Sequence, residues 1–329
     1  MLHSRNFTDS LRSIKRAVLD GPAILRFFIY DLVDYASNSS VLKGVTDRES
    51  LISVITIMTH NIEKGLSLPS PRLGFGARNI GPLLRRCNEY IALYGVDDTI
   101  ARAQGVLVAY SKFHKAADYI NYPYSAEINQ LLSVKSSDVR GGLKLLIRED
   151  VVNIGRAVPA AFFESRSSVR VFDQAMVADE QIISAIRVAQ KAPSVCNRQS
   201  GFVYVIKERA DIDAALAIQA GANGFAENVP TLLVITTKTK NFFGPERNQR
   251  WVDGGLFAMS LILGLHREGL ATCCLNWSKP GAVDRKLKER LRIPRDRSII
   301  FLLAVGRYPA RVSVAQSAKR PLSDMYELR

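Results

Sequence analysis

The sequence predicts an α+β fold, in which a sheet-and-helix domain follows a mainly helical region, and three observations carry that prediction. Over residues 1–150 apolar positions recur at intervals of three and four, as in Leu51-Ile52-Ile55-Met58-Ile62 and Leu83-Leu84-Cys87-Ile91, the period of helices with one buried face. From about residue 160 helical stretches alternate with short β-rich runs, the pattern of layers packed on a sheet. The 329 residues are 47% hydrophobic and 23% charged, an ordinary globular composition that leaves a sizeable core available to both halves. The expected division is residues 1–155, mainly helical, and residues 156–329, the sheet-bearing domain.

In the first half the breaks fall at Gly21-Pro22, Ser37-Asn38-Ser39-Ser40, the Gly/Pro-rich stretch from Pro69 to Gly81, and Tyr122-Pro123, all sequences that favour turns. In the second half the first helix is expected over Asp179–Lys191, with Asp179 as N-cap, Pro193 ending it, and Ile182, Ile183 and Ile186 facing inward. Strands follow at Phe202–Lys207, Thr231–Thr237, Ala271–Leu275 and Ser298–Gly306. Helices are expected between them at Asp211–Ala217, Asp253–Glu268 and Ala282–Leu291. The helix Asp253–Glu268 carries Leu256, Phe257, Met259, Leu261, Ile262, Leu263 and Leu265. It is apolar nearly all round and belongs in a core or a subunit interface.

Composition excludes several classes. No run of about 18 uncharged apolar residues exists; the nearest, Ile24 to Val33, is broken by Arg26 and Asp31. Arg5, Asp9, Arg12, Lys15 and Arg16 interrupt any signal-peptide core, so the expected location is cytoplasmic. Cys87, Cys196, Cys273 and Cys274 show no CxxC spacing and read as reduced, mostly buried thiols. The net charge is +14, with 19 Lys and Arg against 15 Asp and Glu before residue 151 and 26 against 16 after it. The second half therefore favours anionic partners. Aromatics are not interleaved with the basic residues, so no nucleic acid is expected.

The chemistry centres on Ser165-Arg166-Ser167-Ser168-Val169-Arg170-Val171-Phe172. Two guanidinium groups and neighbouring hydroxyls at alternating positions suit the oxygens of a phosphate. After the first helix comes Pro193-Ser194-Val195-Cys196-Asn197-Arg198-Gln199, residue types that also simply end helices in turns. An Arg-x-Ser-x-Arg-x-Phe element, a helix, then Pro-Ser-x-x-Asn-x-Gln before a strand resembles the nitroreductase family of FMN-dependent oxidoreductases. Asp253-Gly254-Gly255, Gly269-Leu270-Ala271-Thr272-Cys273, Leu291-Arg292-Ile293-Pro294, Ala304-Val305-Gly306-Arg307-Tyr308-Pro309 and Lys319-Arg320 keep the same order. The resemblance covers roughly residues 160–325.

The resemblance implies a nitroreductase-like fold and an FMN site. Arg166, Ser168, Arg170 and Arg320 would hold the FMN phosphate, with Ser167 and Lys319 as weaker contributors. Pro193, Ser194 and Asn197 would lie beside the isoalloxazine and ribityl chain, and Asn276, in Leu275-Asn276-Trp277-Ser278, would tune the flavin. It also implies a homodimer, NAD(P)H as electron donor, and transfer of two electrons to a small-molecule acceptor in two half-reactions. Flavin-degrading or tailoring chemistry, or a binding role in a biosynthetic complex, are the other functions such a chain implies.

Three further features stand outside that frame. His60, Glu63 and Lys64 share a helical face in His60-Asn61-Ile62-Glu63-Lys64-Gly65-Leu66; no third ligand accompanies them, and no metal is expected. The element resembles one in nitroreductase-like proteins near bacterial polysaccharide-synthesis genes. The run from Arg285 to Arg297 is basic and reads either as solvated helix surface or as a contact for phosphate. Leu11 to Tyr35 mixes cations with apolar residues and suits packing on the neighbouring domain or a peripheral membrane contact.

Overall fold

In the computed structural model the described residues are 22 and 24–329; Arg5, Asp9, Arg12, Lys15, Arg16, the Gly21 break and the start of the Leu11–Tyr35 stretch lie outside them. Helix α1 covers residues 24–38 and α2 covers Ser40–Lys43. Helix α3, Arg48–Leu66, opens with a capping box: Asp47 accepts from the Ser50 N–H at 3.0 Å, and the Ser50 hydroxyl accepts from the Asp47 N–H at 3.1 Å. Two otherwise orphaned donors are thereby satisfied. Helices α4 (Ala77–Tyr94) and α5 (Asp98–Lys115) follow, and Asp97 between them accepts from the Thr99 N–H at 2.8 Å and the Tyr90 hydroxyl at 2.6 Å. With α6 (Ser125–Ser133) they close a core of Leu51, Ile55, Ile62, Leu83, Cys87, Tyr90, Leu107 and Tyr110. The Gly/Pro-rich break is shorter than expected, because α4 already begins at Ala77 and carries Gly81 and Pro82 within it.

Two short helices, α7 (Arg148–Arg156) and α8 (Ala160–Ser165), lead into the sheet domain. There α9 (Asp179–Ala189), β1 (Gly201–Ile206), α10 (Arg209–Gln219), β2 (Thr231–Lys238), α11 (Gln249–Arg267), β3 (Leu270–Asn276), α12 (Gly281–Arg290) and β4 (Arg297–Arg307) follow in turn. The sheet order is β1-β2-β4-β3, every pair antiparallel. Alternate residues of the central strands serve opposite faces, as the two-residue period requires. Leu232, Val234, Leu302 and Ala304 join the core with α10 and α12, while Leu233, Ile235, Leu303 and Val305 join that with α9 and α11. This double burial explains why β2 reads as a continuous apolar run.

The helical half docks on this domain at several points. Asp34 of α1 pairs with Arg250 at 2.8 Å, and the Tyr30 hydroxyl donates to Asp284 at 3.0 Å. Glu49 of α3 and its N-cap Asp47 pair with Lys238 and Lys240 at 2.8 and 2.6 Å. Burial alone would raise the Asp47 pKa, but hydrogen bonds from Lys240 and the Ser50 N–H hold it below the usual carboxylate range.

Three expectations change. Asp179 is the first helical residue rather than the cap, and no side chain caps α9; its carboxylate pairs instead with Lys207 at 2.5 Å. Ile182 is buried, but Ile183 is 49% exposed because α9 has one covered face. Only Cys87 and Cys273 are buried, with Cys196 half-buried and Cys274 exposed. Helix α11 covers Ala258, Leu261, Ile262 and Leu265 but leaves Trp251, Val252, Leu256 and Met259 between 42% and 51% exposed. No helix among the described residues is long and apolar enough to cross a membrane.

Candidate functional site

The arginine–serine cluster forms a short extra rung on the β3 edge. The Val169 N–H donates to the Thr272 carbonyl at 2.9 Å and the Asp173 N–H to the Arg307 carbonyl at 3.0 Å. Between these pins Val169 and Phe172 turn inward, leaving Arg166, Ser167 and Ser168 half-buried and Arg170 exposed. Phe172 fits because Gly306 faces it: a Cβ there would lie 2.7 Å from the ring. Upstream, His266 Nε2 lies 2.9 Å from the Ser165 hydroxyl and 3.0 Å from the Phe162 carbonyl, fixing the end of α8.

The fields of Arg166 and Arg170 reach the thiols of β3. Burial pushes the Cys274 and Cys273 thiols up, and the two arginines oppose that rise at Cys274 and Cys273 respectively. Neither arginine has an acidic partner among the described residues, whereas Arg48, Arg86, Arg102, Arg140, Arg198, Arg209 and Arg250 all do. Two unpaired guanidinium groups with serine hydroxyls between them are a donor set matched to phosphate oxygens. Lys319 and Arg320 are exposed, in a stretch without helix or strand, and make no hydrogen bond with other described residues.

Pro193, Ser194 and Asn197 lie on the turn that enters β1, at the other edge of the sheet. Cys196, Asn197 and Gln199 all have positive φ, at 48°, 54° and 50°, a strained arrangement for residues other than glycine. Four contacts over-determine it. The Asp253 carboxylate accepts from the Val195 N–H at 3.2 Å, and the Ser194 hydroxyl accepts from the Gln199 N–H at 2.9 Å. Arg198, its side chain fully buried, donates through Nε to the Val195 carbonyl at 3.1 Å and pairs with both Glu246 oxygens at 2.7 and 2.8 Å. Burial raises the Asp253 pKa against its hydrogen bonds from Gln249 and Val195. Pro193, Ser194, Phe202, Asp253 and Phe257 line a cavity of about 500 Å³.

One chain does not bring these two sets together. Ser168 is level with Thr272, Val305 and Thr231, whereas the Ser200 carbonyl accepts from the Lys238 N–H at the other end of β2. The sets therefore occupy diagonal corners of the sheet, about 23 Å apart along the strands and about 19 Å across them at standard spacings. Asn276 ends β3; its carbonyl accepts from Gln219 at 3.1 Å, and it lines a separate cavity of about 680 Å³ beneath α1.

The His60 element has a scaffold role that spacing alone did not show. Glu63 accepts from the Gly142 N–H at 3.1 Å and lies 3.3 Å from His60 Nδ1, while Gly65 leaves room for the Phe75 ring, which a Cβ would approach to 2.1 Å. Among the described residues no three His, Cys, Asp or Glu side chains gather as metal ligands. Sequence reasoning also missed Asp253, Arg198 and Glu246. The first two stood inside quoted motifs, but only their partners, distant in sequence, reveal what they do.

Among solved structures the chain is similar to an FMN-dependent nitroreductase from Clostridium difficile, at 20% identity, TM-score 0.41, covering 47% of this chain and 90% of that one. It is also similar to a nitroreductase family protein from Streptococcus pneumoniae, at 20% identity and TM-score 0.44, covering 51% and 98% of the two chains. A nitroreductase-like family protein from Bacillus cereus shows 17% identity and TM-score 0.43, over 52% and 95%. Comparison with curated proteins returned no match. The family model for the nitroreductase family matches residues 163–221 and 213–307, a span that contains the arginine–serine rung, the Pro193 turn and all four strands. Residues 163–307 are thus a nitroreductase-family domain, and the helical half before them lies outside the match.

Proposed function

We propose that this chain is an FMN-dependent oxidoreductase that takes electrons from NAD(P)H and passes them to a small-molecule acceptor. The observation that carries the reading is the pair of unpaired arginines, Arg166 and Arg170, held on the β3 edge with Ser168 between them. Bound FMN would supply the two-electron chemistry that no side chain here provides. The chain's own work is to bind and orient. Arg166, Ser168, Arg170 and Arg320 donate to the phosphate, with Ser167 and Lys319 nearby in sequence. Pro193, Ser194 and Asn197 offer a rigid polar turn to the ring system, and Asn276 offers an amide to its edge.

The diagonal separation of the two sets supports a homodimeric site, because a second copy can present its Pro193 turn to the first copy's phosphate rung. The apolar outer face of α11 gives such a dimer a surface: Trp251, Val252, Leu256 and Met259. Leu145, Leu146, Ile154 and Phe163, between 55% and 84% exposed, are further apolar side chains available to such an interface. The test begins with the purified protein's absorbance spectrum. Flavin bands that bleach on anaerobic addition of NADPH or NADH are expected; a colourless protein that takes up no added FMN would refute the reading.

Gly306→Ala is expected to lower flavin content without unfolding the domain. The new Cβ would displace Phe172 and with it the segment that aims Arg170, at an overpacking cost of about 1–3 kcal/mol. Bound flavin per chain and the thermal midpoint together check this, and full flavin content in the variant would show that Gly306 does not position the rung.

A further inference from the structure

The helical half meets the Pro193 turn at a cavity of about 390 Å³, room for a small organic ligand. Helix α3 supplies Thr59, His60 and Glu63 to its lining, α5 supplies Arg102, and the segment before β1 supplies Lys191 and Asn197. Arg140 completes the wall, because Gly105 of α5 seats the Arg140 carbonyl where a Cβ would collide with it. The carboxylate of Glu63 is committed to the scaffold. It accepts from the Gly142 N–H at 3.1 Å and lies 3.3 Å from His60 Nδ1, so Nε2 is the imidazole nitrogen left for a ligand.

The remaining polar groups are donors with capacity to spare. Arg102 pairs with Asp98 through Nε at 2.9 Å, and its two Nη groups make no hydrogen bond with other described residues. Asp98 also pairs with Arg140, which reaches Asp138 at 3.1 Å, and neither aspartate lines the cavity. Lys191 is exposed and has no acidic partner among the described residues. Thr59 is only 7% exposed, and its buried hydroxyl meets no partner. A helical threonine can return its hydroxyl to a carbonyl of the preceding turn; this one does not. Guanidinium, ammonium and hydroxyl donors around one space are the set that holds a carboxylate or a phosphate.

We propose that this cavity takes the anionic group, a carboxylate or a phosphate, of the small-molecule acceptor, with Arg102 and Lys191 as charged donors and Thr59 and His60 beside them. The proposal rests on the FMN reading, since Asn197, on the turn offered to the flavin ring, is what ties the cavity to the flavin. It gives α3 and α5, which lie outside the family match, a part in choosing the substrate.

The test is calorimetric titration of the purified full-length protein, carrying its own flavin, with benzoate, phenyl phosphate and neutral benzyl alcohol. The better of the two anions names the group; it is expected to bind once per chain, about tenfold or more tighter than benzyl alcohol, and to perturb the flavin bands as it binds. Arg102→Gln with Lys191→Gln should bring the anions to the level of benzyl alcohol and leave flavin content unchanged. Turnover gives a second readout with 4-nitrobenzoate and 4-nitrobenzyl alcohol, whose nitro groups each take two electrons and two protons to give a nitroso group and water. In the double variant the kcat/KM ratio of the acid to the alcohol should fall about tenfold. Thr59→Val should weaken the anion yet raise the thermal midpoint, since it removes a buried hydroxyl that has no partner; a merely structural Thr59 would leave binding unmoved. Anions that bind flavin-bearing protein no better than benzyl alcohol would overturn the proposal and leave the FMN reading standing. So would an anion that binds without perturbing the flavin, or a double variant that raises the KM for NADPH and not for 4-nitrobenzoate, which would give the cavity to the donor's phosphate. A colourless protein that takes up no FMN would overturn both.

Discussion

Arg166→Ala combined with Arg170→Ala is expected to yield a protein that folds normally and retains no flavin. Both side chains lack acidic partners among the described residues, so their removal breaks no ion pair in the fold. Each hydrogen bond between a charged donor and a charged acceptor contributes about 1.5–3 kcal/mol. Losing one from each arginine removes about 3–6 kcal/mol of phosphate affinity, roughly a hundredfold to ten-thousandfold in Kd. Flavin absorbance per chain after purification and FMN titration of the stripped protein give the two readouts, with the thermal midpoint of the apoprotein as control. Undiminished flavin content would mean that the phosphate is held elsewhere. Arg320→Ala should act in the same direction and more weakly, since its segment carries no helix or strand to fix it.

The same residues show how far the sequence could be read. All four strands lie within one residue of their predicted ends, because each is a run of β-branched and apolar residues bounded by charged or turn-forming positions. The arginine–serine cluster was legible as a candidate donor set for phosphate from residue type and alternation. Its distance from Pro193, Ser194 and Asn197 was not. That distance follows from the order β1-β2-β4-β3, which places the first and third strands at opposite edges, and nothing local in the sequence encodes which strands pair. Ile183 misled for a similar reason: its period fits an inward stripe, but α11 packs against only one side of α9. Tyr30 and Asp34 carried no motif at all, and they matter through Asp284 and Arg250, more than 200 residues away.

Arg198→Met is expected to have the largest effect on stability. The guanidinium it removes sits 5.3 and 5.9 Å from the Phe242 and Phe243 ring centres, donates to the Asn241 carbonyl, and holds Glu246 through two hydrogen bonds. Breaking a buried pair costs about 3–5 kcal/mol, and the low end applies because Glu246 keeps part of its hydration. A fall of roughly 6–12 °C in thermal midpoint follows from about 3 kcal/mol in a domain of this size. The pH dependence separates lost pairing from lost packing. Burial raises the Glu246 pKa, but hydrogen bonds from Arg198 and the Phe243 N–H outweigh it and leave the carboxyl below its ordinary value. A carboxyl depressed in the folded state stabilises fully above its unfolded pKa and loses that contribution as pH falls through the folded one. The stability gap between native and variant protein should therefore be widest near neutral pH and narrow on acidification below the ordinary glutamate range. Flavin retention should fall as well, because Arg198 supplies two of the four contacts that hold Asn197 and Gln199 in their strained left-handed conformations beside the proposed ring site. A variant with an unchanged midpoint and full flavin content would show that the turn is rigid without its clamp.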